Sequence, residues 1–368
     1  MVNVQMSAMV ASHGYSTTPL RTGAEDTIGM RADNAFAHSI SKKGTVMDVT
    51  DAEIIIKEED GTFIGIPIGT NHIDSAGIVI PHKVITDLKK GDKVNPGDIA
   101  CWVDGYFERD WLNPRNVSFK LGVMAKVALQ ERNPSREDGS LISPALAEKL
   151  KTDNSKRKML VVDFTKEIFN LVKPGQNVNL DSVLCHIQDE SVSTGEITEE
   201  QIKGLSRYGI NAPKAKFVGT VSKIEVFWYG QKADMSPTLQ KLVDADTRRR
   251  KREAAARGKA DFVDGEIFEE GFMYSEKIEN NQVGIAIYMD NELADSIGDK
   301  GTVAGQLKTI FSGIMSPDNR TLSGDSIDMI FGHQSVMNRI VPSVEIWGIT
   351  NSVLKEITRQ TVESYFQE

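Results

Sequence analysis

The chain has 368 residues, 43 Lys+Arg against 52 Asp+Glu, a formal charge of −9, 40% hydrophobic and 26% charged residues; that length suits two or three domains, and the composition excludes disorder and collagen. No apolar run approaches the ~18 residues of a membrane span and no basic-then-apolar leader opens the sequence, while two cysteines, Cys101 and Cys185, supply neither a disulfide framework nor a four-cysteine zinc site. The acidic total argues against a stand-alone nucleic-acid binder, though not against a subunit whose partners carry the basic surface.

Residues 1–44 are mixed and turn-rich and read as an irregular segment. Over 45–124 the pattern is short β-branched strands between turns: TVMDV at 45–49, AEIIIK at 52–57, a hairpin loop EEDG at 58–61, and then GDKVNPGD at 91–98, where two turns flank one valine, Val94. Residues 125–164 lead into a second such stretch, 165–235, in which KPGQNVNLDS at 173–182 repeats the turn–valine–turn theme around Val178. Within it, Gly219-Thr220-Val221 echoes Gly44-Thr45-Val46, so two copies of one small β module are expected. Residues 236–260 form the most helical stretch, with Leu239, Leu242 and Val243 at helix spacing, a basic run, and Gly258 as its stop. Strands return over 261–347 (residues 283–288 and 327–331). A closing helix is expected over 348–368, running from about Ser352 with Asn351 as N-cap and Val353, Ile357 and Thr361 on one face.

Several constellations bear on chemistry. A biotinyl or lipoyl carrier would present a modifiable lysine at a hairpin tip between hydrophobic residues, and neither copy has such a tip; a structural β module is the better reading. Asp261, Asp264 and Glu266 are close enough in sequence for a magnesium loop, but their spacing of three then two turns one acid away in an extended strand. The run Arg248, Arg249, Arg250, Lys251, Arg252 is either a solvated helix face or a phosphate-backbone contact. Lys300 and Lys308 lie eight apart in a stretch with Gly298, Gly301 and Gly305, read as a loop that can bring two ammonium groups to a phosphate chain. Arg339 follows a strand and turn and suits bidentate phosphate contact, while Glu137 and Asp138 set adjacent carboxylates in a polar turn.

In order along the chain, PLRTGAE (19–25), GTVMDVTDAEIII (44–56), KGDKVNPGDI (90–99), LGVMAKVAL (121–129), EDGSLIS (137–143) and the Lys300…Lys308…Arg339 series resemble the C-terminal half of the β subunit of multisubunit DNA-directed RNA polymerase. The sequence departs from the family at Arg136, which stands where the family has Phe, around Gly305-Gln306-Leu307, and at Met337-Asn338-Arg339, where the family order is Arg-Met-Asn. With the N-terminal half of the subunit and its clamp-reaching segment not represented, the likeness is to the split β subunits of giant (jumbo) bacteriophages.

The resemblance implies a β-rich α+β fold. A double-psi β-barrel (125–164 and 261–347) would carry an inserted flap-type barrel-sandwich module (165–235) and be preceded by a second barrel-sandwich module (45–124). It also implies a DNA-dependent RNA polymerase subunit, inactive alone, completing a nucleotidyl-transfer site with Lys300, Lys308 and Arg339 as catalytic cations and Glu137 and Asp138 near the nucleotide and second metal. Mg2+ would be held mainly by a β′ partner. Implied partners are a β N-terminal-half subunit, β′-like and other polymerase subunits, DNA template, RNA and nucleoside triphosphates, with no membrane, in the cytoplasm of an infected host cell or a virion. Two rival expectations are a non-catalytic assembly subunit of the same complex, and a self-sufficient polymerase using Asp261, Asp264 and Glu266.

Overall fold

The computed structural model describes residues 2–4, 11–75, 78–110, 112–189, 212–256, 263–339 and 341–367. The protein is β-rich with few helices, an α+β chain containing a curled half-barrel sheet. Among the described residues, no helix is long and apolar enough to cross a membrane. The chain divides into two compact units, the first made of Met1–Ala76, His82–Asp153 and Glu292–Glu368, the second of Gly77–Pro81 and Asn154–Asn291.

The first unit has two apolar cores. One lies under a four-stranded antiparallel sheet in which Glu53–Glu58 sits between Phe63–Pro67 and Gly44–Val49, with Lys93–Val94 at the edge. Alternation along these strands turns Val46, Ile54, Ile56 and Ile66 inward, and Val94 and Trp102 join them. The other core belongs to a six-stranded sheet with the order Val2–Val4, Lys300–Val303, Leu307–Ile314, Gly139–Ile142, Met329–Phe331, Val127–Leu129. Gly139–Ile142 runs parallel to Leu307–Ile314, and Val127–Leu129 parallel to Met329–Phe331; the remaining neighbours are antiparallel. Ile142, Leu146, Leu307, Phe311, Met329 and Phe331 fill this core.

The second unit is built on the long antiparallel ribbon of Gly219–Tyr229 with Gln282–Leu293. The helix Pro237–Ala256 packs Leu239 and Val243 into the same core as Val226, Trp228, Ile285 and Ile287. The domain edge expected at 260/261 therefore moves: Gln282 to Asp290 pair along their length with the ribbon, and the unit continues to Asn291.

The two turn–valine–turn segments adopt the same local geometry. Gly91 and Gly175 take φ of 95° and 87°, a left-handed conformation glycine reaches without a Cβ clash. Their N–H groups donate to Val46 (2.8 Å) and Val221 (2.7 Å), whose own N–H groups donate back to Asp92 (2.8 Å) and Gln176 (2.9 Å). Gly44 pairs with Val94, and Gly219 with Val178. In each ribbon the register slips just past the valine, between Val46 and Asp48 and between Val221 and Lys223. Chain order differs, since the Gly-Thr-Val strand precedes the turns in the first copy and follows them in the second.

Two further expectations are corrected. Residues 1–44 are not wholly irregular: they carry Val2–Val4, the helix Glu25–Arg31 and Ala37–Ser39. Ala37 pairs with Trp102, a partner no local pattern specifies, and Glu25 ties the helix start to the Thr22 N–H (3.1 Å) and hydroxyl (2.9 Å). The closing helix spans Pro342–Gln367, starting ten residues before Ser352. Proline suits a first-turn position because its missing N–H would be unpaired there anyway. Asn351 is thus interior and buried, donating to the Trp347 carbonyl (3.1 Å) and accepting from the Leu20 N–H (3.0 Å). Gly258 lies outside the described residues.

Candidate functional site

Lys300 and Lys308 stand on a hairpin and not in an open loop. Lys300–Val303 pairs antiparallel with Leu307–Ile314, setting Lys300 opposite Ile310 and Thr302 opposite Lys308. The tip turns at Ala304 and Gly305, with φ of 53° and 68°, closed by the Gln306 N–H on the Val303 carbonyl (3.2 Å). Gly305 and Gly298 serve turns, whereas Gly301 sits in the strand opposite Thr309, so the glycines do not form a phosphate cradle. Period-2 alternation buries Val303, Leu307 and Phe311 on one face and leaves Lys300, Lys308 and Ile310 exposed on the other. The two lysines are diagonal neighbours on that face, with backbones about 7–8 Å apart.

The acid pair lies one strand further on. Glu137 and Asp138 take φ of 50° and 72°, the left-handed region that non-glycine residues seldom occupy. The Asp138 carbonyl accepts the Ile310 N–H (3.0 Å) and the Thr309 hydroxyl (2.8 Å), fastening the turn to the lysine hairpin. Its carboxylate takes Arg339 in a two-pronged pair, 2.5 and 2.6 Å. Arg339 also donates to the Ser335 carbonyl (3.2 Å) at the short helix His333–Met337. The guanidinium holds the Asp138 carboxyl below the usual carboxylate range, against the opposing effect of desolvation, and the pairing raises Arg339 further. Glu137 is exposed, and Arg339 grips Asp138 alone of the two.

Because Lys300, Ile310 and Gly139 are register partners on adjacent strands, the Lys300 backbone lies roughly 10 Å from Gly139, two interstrand spacings. The structure therefore brings the two lysines, Asp138 and Arg339 to one end of a single sheet, with Glu137 at its margin.

The other candidates lie elsewhere. In the basic run, Arg249 and Arg250 fold back on the buried Asp246 carboxylate, each at 2.6 Å. Arg250 also donates to the Val226 carbonyl (3.2 Å) and lies over the Phe227 ring. Arg248, Lys251 and Arg252 remain exposed, so only part of the run is a solvated face. Asp261 lies outside the described residues; Asp264 accepts the Glu266 N–H (3.1 Å) as a turn cap, and Glu266 is exposed.

Three features carried no sequence signal. His13, Asp153 and Glu292 gather at the surface, with His13 on Asp153 (2.8 Å) and Lys151 on Glu292 (3.4 Å). Asp295 is buried; burial and the charge of nearby Asp299 push its carboxyl up to about 7. A groove of about 840 Å³ opens between the helix Pro342–Gln367 and the six-stranded sheet, lined among others by Val127, Leu307, Phe331, Trp347, Ile349 and Val353. Residues from Met124 to Lys355 contribute to it, a span beyond local pattern reading.

No protein-family profile matches the chain, and no curated protein matches it in sequence.

Proposed function

We propose that the chain is the C-terminal fragment of a β subunit of multisubunit DNA-directed RNA polymerase, of the split kind found in giant bacteriophages, completing a nucleotidyl-transfer site within an assembled enzyme. The six-stranded sheet is read as the double-psi β-barrel, and residues 165–235, which belong to the second unit and fall in the chain between Gly139–Ile142 and Lys300–Val303, as the flap-type insertion. One observation carries the reading: Asp138, Arg339, Lys300 and Lys308, up to 201 positions apart in sequence, share one end of one sheet.

Attack of an RNA 3′-hydroxyl on an α-phosphorus, with pyrophosphate leaving, is mainly a matter of positioning and charge neutralisation. In this proposal Lys300 and Lys308 face the RNA end and nucleotide phosphates, held at fixed separation by the hairpin. Arg339 presents a planar fork suited to the leaving triphosphate, and Asp138 keeps that fork oriented until a phosphate competes for it. Glu137 and Asp138 do not by themselves make a complete magnesium site, since Asp138 is engaged by Arg339 and Glu137 is outside that pair. Mg2+ would be held mainly by a β′-like partner, and this chain would supply the cationic side of the site.

The test is elongation by the co-expressed, assembled enzyme carrying Lys308→Ala. Loss of one preorganised cation costs on the order of 3 kcal/mol, about 10²-fold in rate, with assembly intact. Elongation at the wild-type rate removes Lys308 from the site. The Asp138–Arg339 pair itself favours a second reading, an assembly subunit in which the two side chains only brace the fold; Arg339→Lys then leaves elongation unchanged, whereas the catalytic reading expects a slower enzyme. Product from the purified chain with template, nucleotides and Mg2+ alone would instead support the self-sufficient alternative.

A further inference from the structure

The helix Pro342–Gln367 is sided twice. Val344 and Trp347 pack on the core of the six-stranded sheet and Asn351 is buried beside them. On another side Ile346, Ile349, Val353 and Ile357 are 63, 66, 53 and 53% exposed. Spacings of 3, 4 and 4 place these four within about an 80° arc of one helix face. Their exposed apolar surface is on the order of 400 Å², in the range that marks interaction sites on soluble proteins. The stripe also runs into the groove of about 840 Å³, which Ile349 and Val353 help line.

Charge on the flanks says what fits there. Glu345, Glu356 and Glu363 recur at spacings of 11 and 7, which keeps them on one flank, about 80–100° around the helix from Ile346. Arg359 braces Glu356 and Glu363, each at 2.5 Å, leaving that flank with three carboxylates against one guanidinium. The opposite flank carries Thr350, Leu354 and Thr361, without charge. A second copy packed antiparallel about a two-fold axis would set the carboxylate row against itself, which is repulsive. A second copy packed parallel would set it against the uncharged flank.

We propose that this face docks an amphipathic helix of a different chain, one with an apolar stripe flanked by Lys or Arg. The surface does not depend on the polymerase reading; it would serve any assembly of this chain.

The probes are two synthetic helical peptides with leucines at the same 3-4-4 spacing, one flanked by lysines and one by glutamates, titrated against the full chain by fluorescence anisotropy at low salt. The lysine peptide is expected to bind at least tenfold more tightly than the glutamate peptide. Ile349→Asp with Val353→Asp should weaken it at least tenfold with an unchanged circular dichroism spectrum and thermal midpoint, because both positions are exposed. Glu356→Lys with Glu363→Lys should reverse the preference between the peptides. Equal binding of both peptides, binding of neither, or indifference to the aspartate variant overturns the proposal. So does a dimer in sedimentation velocity that the aspartate variant dissociates, which would make a second copy the occupant. Sedimentation with phosphatidylcholine/phosphatidylglycerol vesicles that the variant abolishes would make it a lipid surface.

Discussion

Replacing Asp138 by alanine, Arg339 by alanine, and both together should yield a coupling energy of about 1 kcal/mol between the two side chains. The geometry alone argues for more: two parallel charge-assisted bonds of 2.5 and 2.6 Å, each of a kind worth roughly 1.5–3 kcal/mol when shielded from water. Solvent reduces this, because the side chains are 42 and 39% exposed and exposed ion pairs measure only about 0.2–1 kcal/mol. The bidentate fit keeps the pair at the upper end of that range. Urea unfolding of the four proteins, at low salt and at 1 M NaCl, measures it; high salt should remove much of the coupling. The sign with pH follows from the depressed Asp138 carboxyl. A carboxyl with a folded pKa below its unfolded value stabilises fully above the unfolded value, near 4, and loses that contribution as pH falls through the folded one. The coupling should therefore be constant from pH 6 to 8 and decline below about pH 4. A coupling near zero at neutral pH, or one that grows on acidification, would refute the reasoning.

Three other predictions follow from buried groups. Asp246→Ala strands Arg249 and Arg250 without their buried carboxylate and should lower stability by about 2 kcal/mol, read as a fall in denaturant midpoint; the arginines can rehydrate, which limits the loss. Phe311→Ala empties the centre of the six-stranded sheet's core and should cost about 3–5 kcal/mol, and a loss below 1 kcal/mol would mean that this core is not packed as described. Asp295 runs opposite to Asp138: with its folded pKa raised to about 7, the folded state holds the proton more tightly, so stability falls as pH rises from about 4 to 7. Asp295→Asn should flatten that slope, leaving the variant more stable than wild type at pH 8, and equal pH profiles would count against the burial of the carboxylate.

Local chemistry made part of this molecule readable. A glycine placed for a left-handed first turn, a single valine between two turns and runs of β-branched residues mark both copies of the turn–valine–turn ribbon, 84 residues apart from Gly91 to Gly175. Helix spacing around Leu239 and Val243 likewise marks Pro237–Ala256. These signals lie within a few residues of one another, where backbone sterics and side-chain period act without help from the rest of the chain. Residue type and position single out Lys300, Lys308, Glu137, Asp138 and Arg339 as candidates, but say nothing of how they are arranged.

The tertiary structure decided the rest. An alternating pattern specifies which residues of a strand turn inward; it does not specify which strand lies beside it, because a ladder accepts any neighbour that buries the same face. Hence the parallel pairing of Gly139–Ile142 with Leu307–Ile314, the meeting of Asp138 with Arg339 and the place of residues 282–291 in the second unit emerge only on folding. The glycines around Lys300 read locally as a loop until the buried row of Val303, Leu307 and Phe311 drew the segment into a hairpin. Asn351 read as a cap until a distant backbone N–H at Leu20 supplied the partner that lets a polar side chain stay buried inside a helix.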